Sequence, residues 1–284
     1  MKYSFTHALG HFIVNDNGEI IGTLAKPDAK LKKLPFELVQ CVLENFKQKK
    51  YFAKLYSKNI VITKKAIKES VNEDNLIVQT ISTMTELDRT INLFTKRLRE
   101  WYSLYFPELS ENVSNHEKFV DMVLTEKRPQ ETIGANMQQK DIAEMIKLAK
   151  HIQTMFRLRC EHETYLQTIM KKYCPNITEL AGVTIGAKLL ELGKSLKHLA
   201  MLPASTIQLF GAEKALFRHL KTGSRSPKYG IIYEHQLIQK AKKKDRGKIA
   251  RVLADKLSLC ARLDYFKGEF KAKEYRKDLE RKFG

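Results

Sequence analysis

The sequence predicts a mainly α-helical protein with a small α/β N-terminal domain over 1–73, a central antiparallel coiled coil over 74–175 and an all-helical C-terminal domain over 176–284. Three observations predict this. Two β-prone runs flank a tight-turn triplet near the N-terminus. A seven-residue apolar repeat at 77–105 is answered by a second apolar stripe at 142–173. Beyond 176, short helical patterns are separated by Gly and Pro, with no alternating strand pattern.

In the first domain, Phe12-Ile13-Val14 and Ile20-Ile21-Gly22-Thr23 read as strands around Asp16-Asn17-Gly18, a strong hairpin signal. Pro35 opens a helix whose Leu38, Val39, Val42, Leu43 and Phe46 share one face. The β-branched run Asn59-Ile60-Val61-Ile62-Thr63 predicts another strand.

In the central region Ile77, Met84, Ile91, Leu98 and Tyr105 recur at seven-residue spacing, with Leu87, Phe94 and Trp101 beside them. Pro107 ends this helix. A short helix follows over about 114–126, with Phe119, Val120 and Val123 inward, and RPQETIGANMQ over 128–138 reads as a loop. The second long helix, about 139–173, carries Ile142, Met145, Ala149, Ile152, Phe156, Leu166 and Met170. Stripes this broad leave apolar surface wet in a single hairpin, so a second copy is expected to cover them through Ile77, Met84, Ile91, Leu98, Ile142, Ile152 and Phe156. The alternative is packing on the chain's own domains.

In the third region Gly182, Gly186 and Gly193 punctuate the first helices, Pro203-Ala204-Ser205 begins another, and 222–227 is a loop. Asp245-Arg246-Gly247-Lys248 opens a long final helix.

The composition sets the kind of partner. Hydrophobic residues make up 43%, too many for a disordered chain, and 51 Lys+Arg against 32 Asp+Glu give a formal net charge of +19. Residues 176–284 hold +13 of this, 1–75 hold +5 and 76–175 only +1, which places a phosphate-binding surface in the last third. The N-terminus does not read as a signal peptide, and no apolar run is long enough for a membrane helix. Cys41, Cys160, Cys174 and Cys260 form no CxxC or zinc spacing, as expected of reduced, buried thiols in a cytosolic or nuclear protein.

Catalytic patterns are absent. Gly193-Lys194-Ser195 resembles the end of a P-loop, but Lys188 stands where that loop needs glycine. There is no GxGxxG, and neither His116-Glu117 nor His162-Glu163 has a second His at metalloprotease spacing. No enzyme activity, cofactor or metal is expected of this chain itself.

The strongest positive signal is basic. Lys240, Lys242, Lys243, Lys244 and Arg246 form a charge run. Lys248, Arg251, Asp255, Ser258 and Arg262 then follow at steps of three, four, three and four, which is one helical stripe. Ile249, Val252, Leu253, Leu257 and Cys260 take much of the other side. Such a helix can present Arg to phosphates. A plain solvated face and a membrane-surface helix are the competing readings.

The same region carries a family resemblance. LKHLAMLPASTIQ over 196–208, GAEKALFRHLKTG over 211–223, PKYGIIY over 227–233 and RGKIAR over 246–251 resemble the Nop domain. RLREWYSLYFPEL over 97–109 resembles that family's central helical segment. Length and a short C-terminus look like the archaeal box C/D members. The resemblance implies an N-terminal domain that binds fibrillarin, a coiled coil that self-associates, and a C-terminal domain that reads a kink-turn RNA already held by a ribosomal-type kink-turn protein. It implies that Ala204, Ser205, Gln208, Gly211, Ala212 and Glu213 face that composite, and that Lys214, Arg218, Lys228, Arg246, Lys248, Arg251 and Arg262 contact box C/D guide RNA. It further implies a non-catalytic scaffold for 2′-O-methylation, with S-adenosylmethionine carried by fibrillarin. The location would be cytoplasmic in an archaeon and nucleolar in a eukaryote. The alternative within the family is a spliceosomal-type scaffold without a methyltransferase. Three positions depart from the usual pattern: Lys194 where glycine is frequent, Gln236 where proline is frequent, and Lys228 where a spliceosomal relative has histidine.

Overall fold

The computed structural model describes residues 2–26 and 31–283, in two compact units, Met1–Asn72 and Glu73–Gly284. In the first unit, strands β1 (Tyr3–His7), β2 (Gly10–Val14), β3 (Ile20–Leu24) and β4 (Lys32–Lys33) form a sheet of order β3-β2-β1-β4. The β1–β2 and β2–β3 pairs are antiparallel and β1–β4 is parallel. The β2–β3 turn is held by the Asn15 side chain, whose Oδ1 accepts from the backbone N–H of Asn17 and Glu19 at 3.1 and 2.8 Å. Gly18 takes the positive φ of 79° that the turn requires. Helix α1 (Phe36–Asn45) lays Val42 on Phe12 and Val14, and Phe46, just past its end, stacks on the His7 ring at 4.3 Å.

The predicted strand at 59–63 is overturned. These residues lie inside helix α2 (Lys49–Ser70). Each β-branched residue costs a helix only a few tenths of a kcal/mol, roughly, and the flanks are rich in Lys, which favours helix.

The second unit is helical among its described residues. Helix α3 (Glu73–Tyr102) leads through α4 (Pro107–Asn112) and α5 (His116–Thr125) to α6 (Gln139–Tyr173). Helix α3 ends at Tyr102, before Pro107 is reached; Pro107 instead occupies the first turn of α4, where its missing N–H costs nothing. The start of α3 shares a core with the end of α6, through Ile77, Ile81, Met84, Leu166 and Met170. The end of α3 shares another with the start of α6, through Ile91, Leu98, Met145, Ala149 and Ile152. The pair is therefore antiparallel.

This packing corrects the expected self-association surface. Ile77, Met84, Ile91, Leu98 and Ile152 are at most 3% exposed within one chain, and Ile142 and Phe156 are half-buried against the same core. The physical reason is that other helices of the same unit close the stripes. Phe119, Val120 and Val123 of α5 complete one core. The other is completed by the helices that follow α6. Apolar residues left outside include Leu93 (66% exposed), Leu104 (57%) and Ile133 (89%).

The chain continues through α7 (Pro175–Ala181), α8 (Val183–Gly193), α9 (Leu196–Met201), α10 (Ala204–Leu209) and α11 (Glu213–Thr222). A 3-10 turn (Ile231–Glu234), α12 (Gln236–Lys240), α13 (Arg246–Tyr265) and α14 (Ala272–Phe283) follow. So α13 is not the final helix. The core does not break near 175: Ile77, Met84 and Leu166 pack in one cluster with Leu189, Leu253 and Leu279. Two buried carboxylates tie the helices. Asp74 at the start of α3 accepts from the Leu196 N–H at the start of α9, at 3.0 Å. Asp264 near the end of α13 accepts from Asn176 N, Asn176 Nδ2 and Ile177 N at 2.8–3.0 Å, which caps α7.

The P-loop-like triplet is a junction between two helices. Lys194 is the left-handed C-cap of α8, and Ser195 caps α9 by accepting from His198 N at 3.1 Å. Lys188 lies mid-helix and pairs with Glu234 at 2.8 Å, so no loop curls round a phosphate there. Lys194 holds φ at 65°, a conformation that costs a side-chain-bearing residue roughly 1 kcal/mol and glycine almost nothing. Lys194→Gly is therefore expected to stabilise the chain by about 0.5–1 kcal/mol in chemical denaturation; destabilisation would contradict this.

The cysteines also differ from expectation. Cys174 and Cys260 are buried, and burial pushes their thiols up, Cys260 to about 12, but Cys41 and Cys160 are exposed. None of the helices among the described residues is long and apolar enough to cross a membrane.

Candidate nucleic-acid interface

The site is built on α13. Its Ile249, Ala250, Leu253, Leu257 and Cys260 are buried in the core, which fixes the helix rotation. Lys248, Arg251, Asp255 and Arg262 are then forced outward, and all four are exposed. Ser258 is the exception. It is 4% exposed, and its hydroxyl donates to Leu202 O at 3.3 Å, so it joins α13 to the end of α9 and leaves the outer stripe one residue short. Arg262 donates through Nε to Ala200 O at 3.2 Å, which holds its guanidinium over the end of α9.

Arg246 is held more firmly than its basic neighbours. Its Nε donates to Ala241 O at 3.0 Å, Nη1 to Tyr233 Oη at 3.1 Å and Nη2 to Gln239 O at 3.3 Å, and the group lies 5.5 Å from the centre of the Tyr233 ring. Three of its donors are spent inside the fold. It clasps the start of α13 to α12, and the half-exposed group keeps two of its five N–H donors free of these bonds.

Lys228 comes to the same place from a different segment. Its side chain lies over Gly247, where even an added Cβ would sit 3.3 Å from Lys228 Cδ, so the glycine gives the lysine stem its seat. Lys228 and Lys248 thus flank one spot at the start of α13. The segment carrying Lys228 is pinned to the end of α10: Gly230 N donates to Gln208 O at 2.9 Å, Ile231 N to Phe210 O at 2.7 Å, and Gln208 Nε2 to Lys228 O at 2.6 Å. A Cβ at Gly230 would overlap the Phe210 carbonyl, so only glycine permits this approach. Gln208 is therefore half-buried and partly committed to holding Lys228, while Ser205 is exposed and Ala204 half-buried.

Gly211, at φ 84°, makes the turn into α11, and its N–H donates to the Glu213 carboxylate at 2.8 Å. Glu213 shapes the turn from within. Helix α11 has no buried residue. Lys214, Arg218 and Lys221, at steps of four and three, make an exposed basic stripe. Phe217 (67% exposed) and Leu220 (70%) make an apolar stripe beside it. Sequence reasoning missed these two, because an apolar pair at helical spacing reads as core. The only sequence signal was position: they lie inside the GAEKALFRHLKTG stretch.

Adjacent uncovered Phe and Leu on a cation-bearing helix offer an apolar contact beside a basic one. Comparison with known proteins shows the family. A family model described as Nop, snoRNA binding domain, fibrillarin, matches residues 83–133 and 122–284. The chain belongs to the Nop family. Among relatives, a NOP5 family protein of Methanocaldococcus jannaschii is 40% identical over 246 residues, covering 78% of this chain and 59% of its own length. Nucleolar protein 56 of Schizosaccharomyces pombe is 38% identical over 231 residues, covering 70% of this chain and 46% of that protein. The chain thus spans less than two thirds of the length of these Nop relatives. Its whole length also superposes on 98% of a chain in a crystal structure described as a fibrillarin/Nop5p complex, with a TM-score of 0.53 and 25% identity.

Within the Nop region of this chain, Lys228, Lys248, Arg251 and Arg262 are exposed on or beside α13, and the basic and apolar stripes of α11 stand clear of the core. The Nop match starts at residue 83, so α2 and the small sheet lie outside it.

Proposed function

We propose that this chain is the non-catalytic scaffold of a box C/D guide ribonucleoprotein, joining a fibrillarin-type methyltransferase to a kink-turn protein–RNA complex. The observation that carries the reading is α11, with its two adjoining stripes. Phe217 and Leu220 suit an apolar protein surface. Lys214, Arg218 and Lys221 suit phosphates, and Lys228, Lys248, Arg251 and Arg262 extend the cationic surface. A helix offering both kinds of contact side by side fits a composite of protein and RNA better than either alone.

The partner class is supported by the relatives, which include nucleolar proteins, and by the neighbour solved as a complex with fibrillarin. In this reading the first unit takes the methyltransferase and the Nop region takes the RNA. The chain supplies effective concentration and orientation, while the partner binds S-adenosylmethionine and performs the 2′-O-methylation. Self-association would use outward residues such as Leu93 and Leu104, since the heptad residues are already enclosed.

Order of assembly tests the proposal. In fluorescence-anisotropy titrations the full chain is expected to bind a bare kink-turn RNA weakly and with steep salt dependence. It should bind the same RNA tightly once the kink-turn protein is on it. Equal affinity for the two would refute a composite site. Methyl transfer by the chain alone, given S-adenosylmethionine and RNA, would refute a scaffold role.

A further inference from the structure

Helix α2 lies outside the residues matched by the Nop family model, and it has the densest charge in the first unit. Its 22 residues hold seven lysines against one glutamate. Lys54, Lys58, Lys65 and Lys68 stand at steps of four, seven and three, with Val61 filling the gap, so they make one stripe along the helix. At about 1.5 Å of rise per residue, the stripe is roughly 21 Å long. All four lysines are exposed. Among the described residues only Lys65 has an ion pair, to Glu69 at 3.7 Å. Like charges one helical turn apart repel, by about 0.2–0.5 kcal/mol for each pair. The helix therefore carries a small standing cost that a bound polyanion would remove.

We infer that α2 is a second RNA-binding element, whose lysine stripe follows the phosphates of a single strand. Four ammonium groups spread over roughly 21 Å can each meet a phosphate of one strand. Lysine suits such a surface, because a flexible ammonium is a point charge that follows a backbone without reading bases. The opposite arc favours RNA over an anionic membrane. There Phe52 and Tyr56 stack with ring centroids 6.5 Å apart, but Asn59 and Thr63 interrupt the apolar surface and the helix has no Trp, so the arc would insert poorly into lipid. The element is independent of α11 and α13.

The test compares the full chain with a variant carrying Lys54→Gln, Lys58→Gln, Lys65→Gln and Lys68→Gln. Glutamine has nearly the helix propensity of lysine, and circular dichroism checks that the helix is kept. A control loses the same charge from α6, through Lys140→Gln, Lys150→Gln, Lys171→Gln and Lys172→Gln. The probe is a polyuridine oligoribonucleotide with no kink-turn. The α2 variant is expected to bind it about tenfold or more weakly at low salt. The slope of log affinity against log salt should fall by about 0.7 for each phosphate that is no longer neutralised. Binding to the preassembled kink-turn protein–RNA complex through α11 and α13 should be retained, which separates this inference from the proposed function. Unchanged polyuridine binding, or an equal loss in the α6 control, would overturn the inference. So would loss of binding to phosphatidylserine vesicles while polyuridine binding stays intact.

Discussion

Replacing Asp264 by Ala lowers the unfolding free energy of the Glu73–Gly284 unit by about 4 kcal/mol. Asp264 is 9% exposed and accepts three hydrogen bonds, two from Asn176 and one from Ile177. Asn176 in turn uses its Oδ1 to accept from Lys271 N at 2.9 Å and Ala272 N at 3.1 Å, where α14 begins. One carboxylate therefore anchors α7 directly and α14 at one remove. Alanine leaves three buried donors without acceptors, at about 1–3 kcal/mol each before relaxation. Asp264→Asn keeps one acceptor oxygen and turns an amide N–H toward a donor, so a loss of about 2 kcal/mol is expected. Chemical denaturation followed by circular dichroism measures both. A loss below about 1 kcal/mol for Asp264→Ala would mean water replaces the carboxylate.

The pH dependence has a definite sign. Burial, the larger influence, lifts the Asp264 carboxyl above its usual range, and the donors from Ile177 and Asn176 pull it part of the way back. A carboxyl with a raised folded pKa holds its proton more tightly in the fold than in the unfolded chain. Its ionisation therefore costs stability as pH climbs from the unfolded to the folded value. The advantage of the parent over Asp264→Asn should widen on acidification through that window.

The double substitution Phe217→Ala, Leu220→Ala is expected to weaken binding to the preassembled kink-turn protein–RNA complex by about 100-fold. That corresponds to about 2.7 kcal/mol, as for two truncated hot-spot residues. Stability should stay within about 0.5 kcal/mol, because α11 buries no residue and these two side chains are mostly in solvent. Affinity for bare RNA should not change, since neither side chain carries charge. The contrasting pair Lys214→Gln, Arg218→Gln should flatten the salt dependence for both ligands. Isothermal titration against the preassembled complex and against bare RNA separates the two. If the apolar pair proved silent, α11 would be reduced to a cationic helix and the composite reading would lose its footing.

Much of the architecture was legible in residue spacing. The Asp16-Asn17-Gly18 turn, the long helices α3 and α6, and the inward set of α13 all follow from local chemistry and period. Where the reading failed, a longer-range effect won. Residues 59–63 have strand propensity, but a continuous helix on both sides carried them along. The heptad residues look like a surface for another chain, yet α5 on one side and the helices after α6 on the other enclose them.

What the sequence alone determined here is which face of α13 is cationic. Burying Ile249, Leu253 and Leu257 leaves Lys248, Arg251 and Arg262 no direction but outward, since helical period couples one side to the other. What only the tertiary structure decided is which apolar residues stay uncovered. Phe217 and Phe119 are both phenylalanines at helical spacing, yet one is 67% exposed and the other is fully buried. Hydrophobicity drives burial without direction, so its outcome depends on which elements are near enough to close over each side chain.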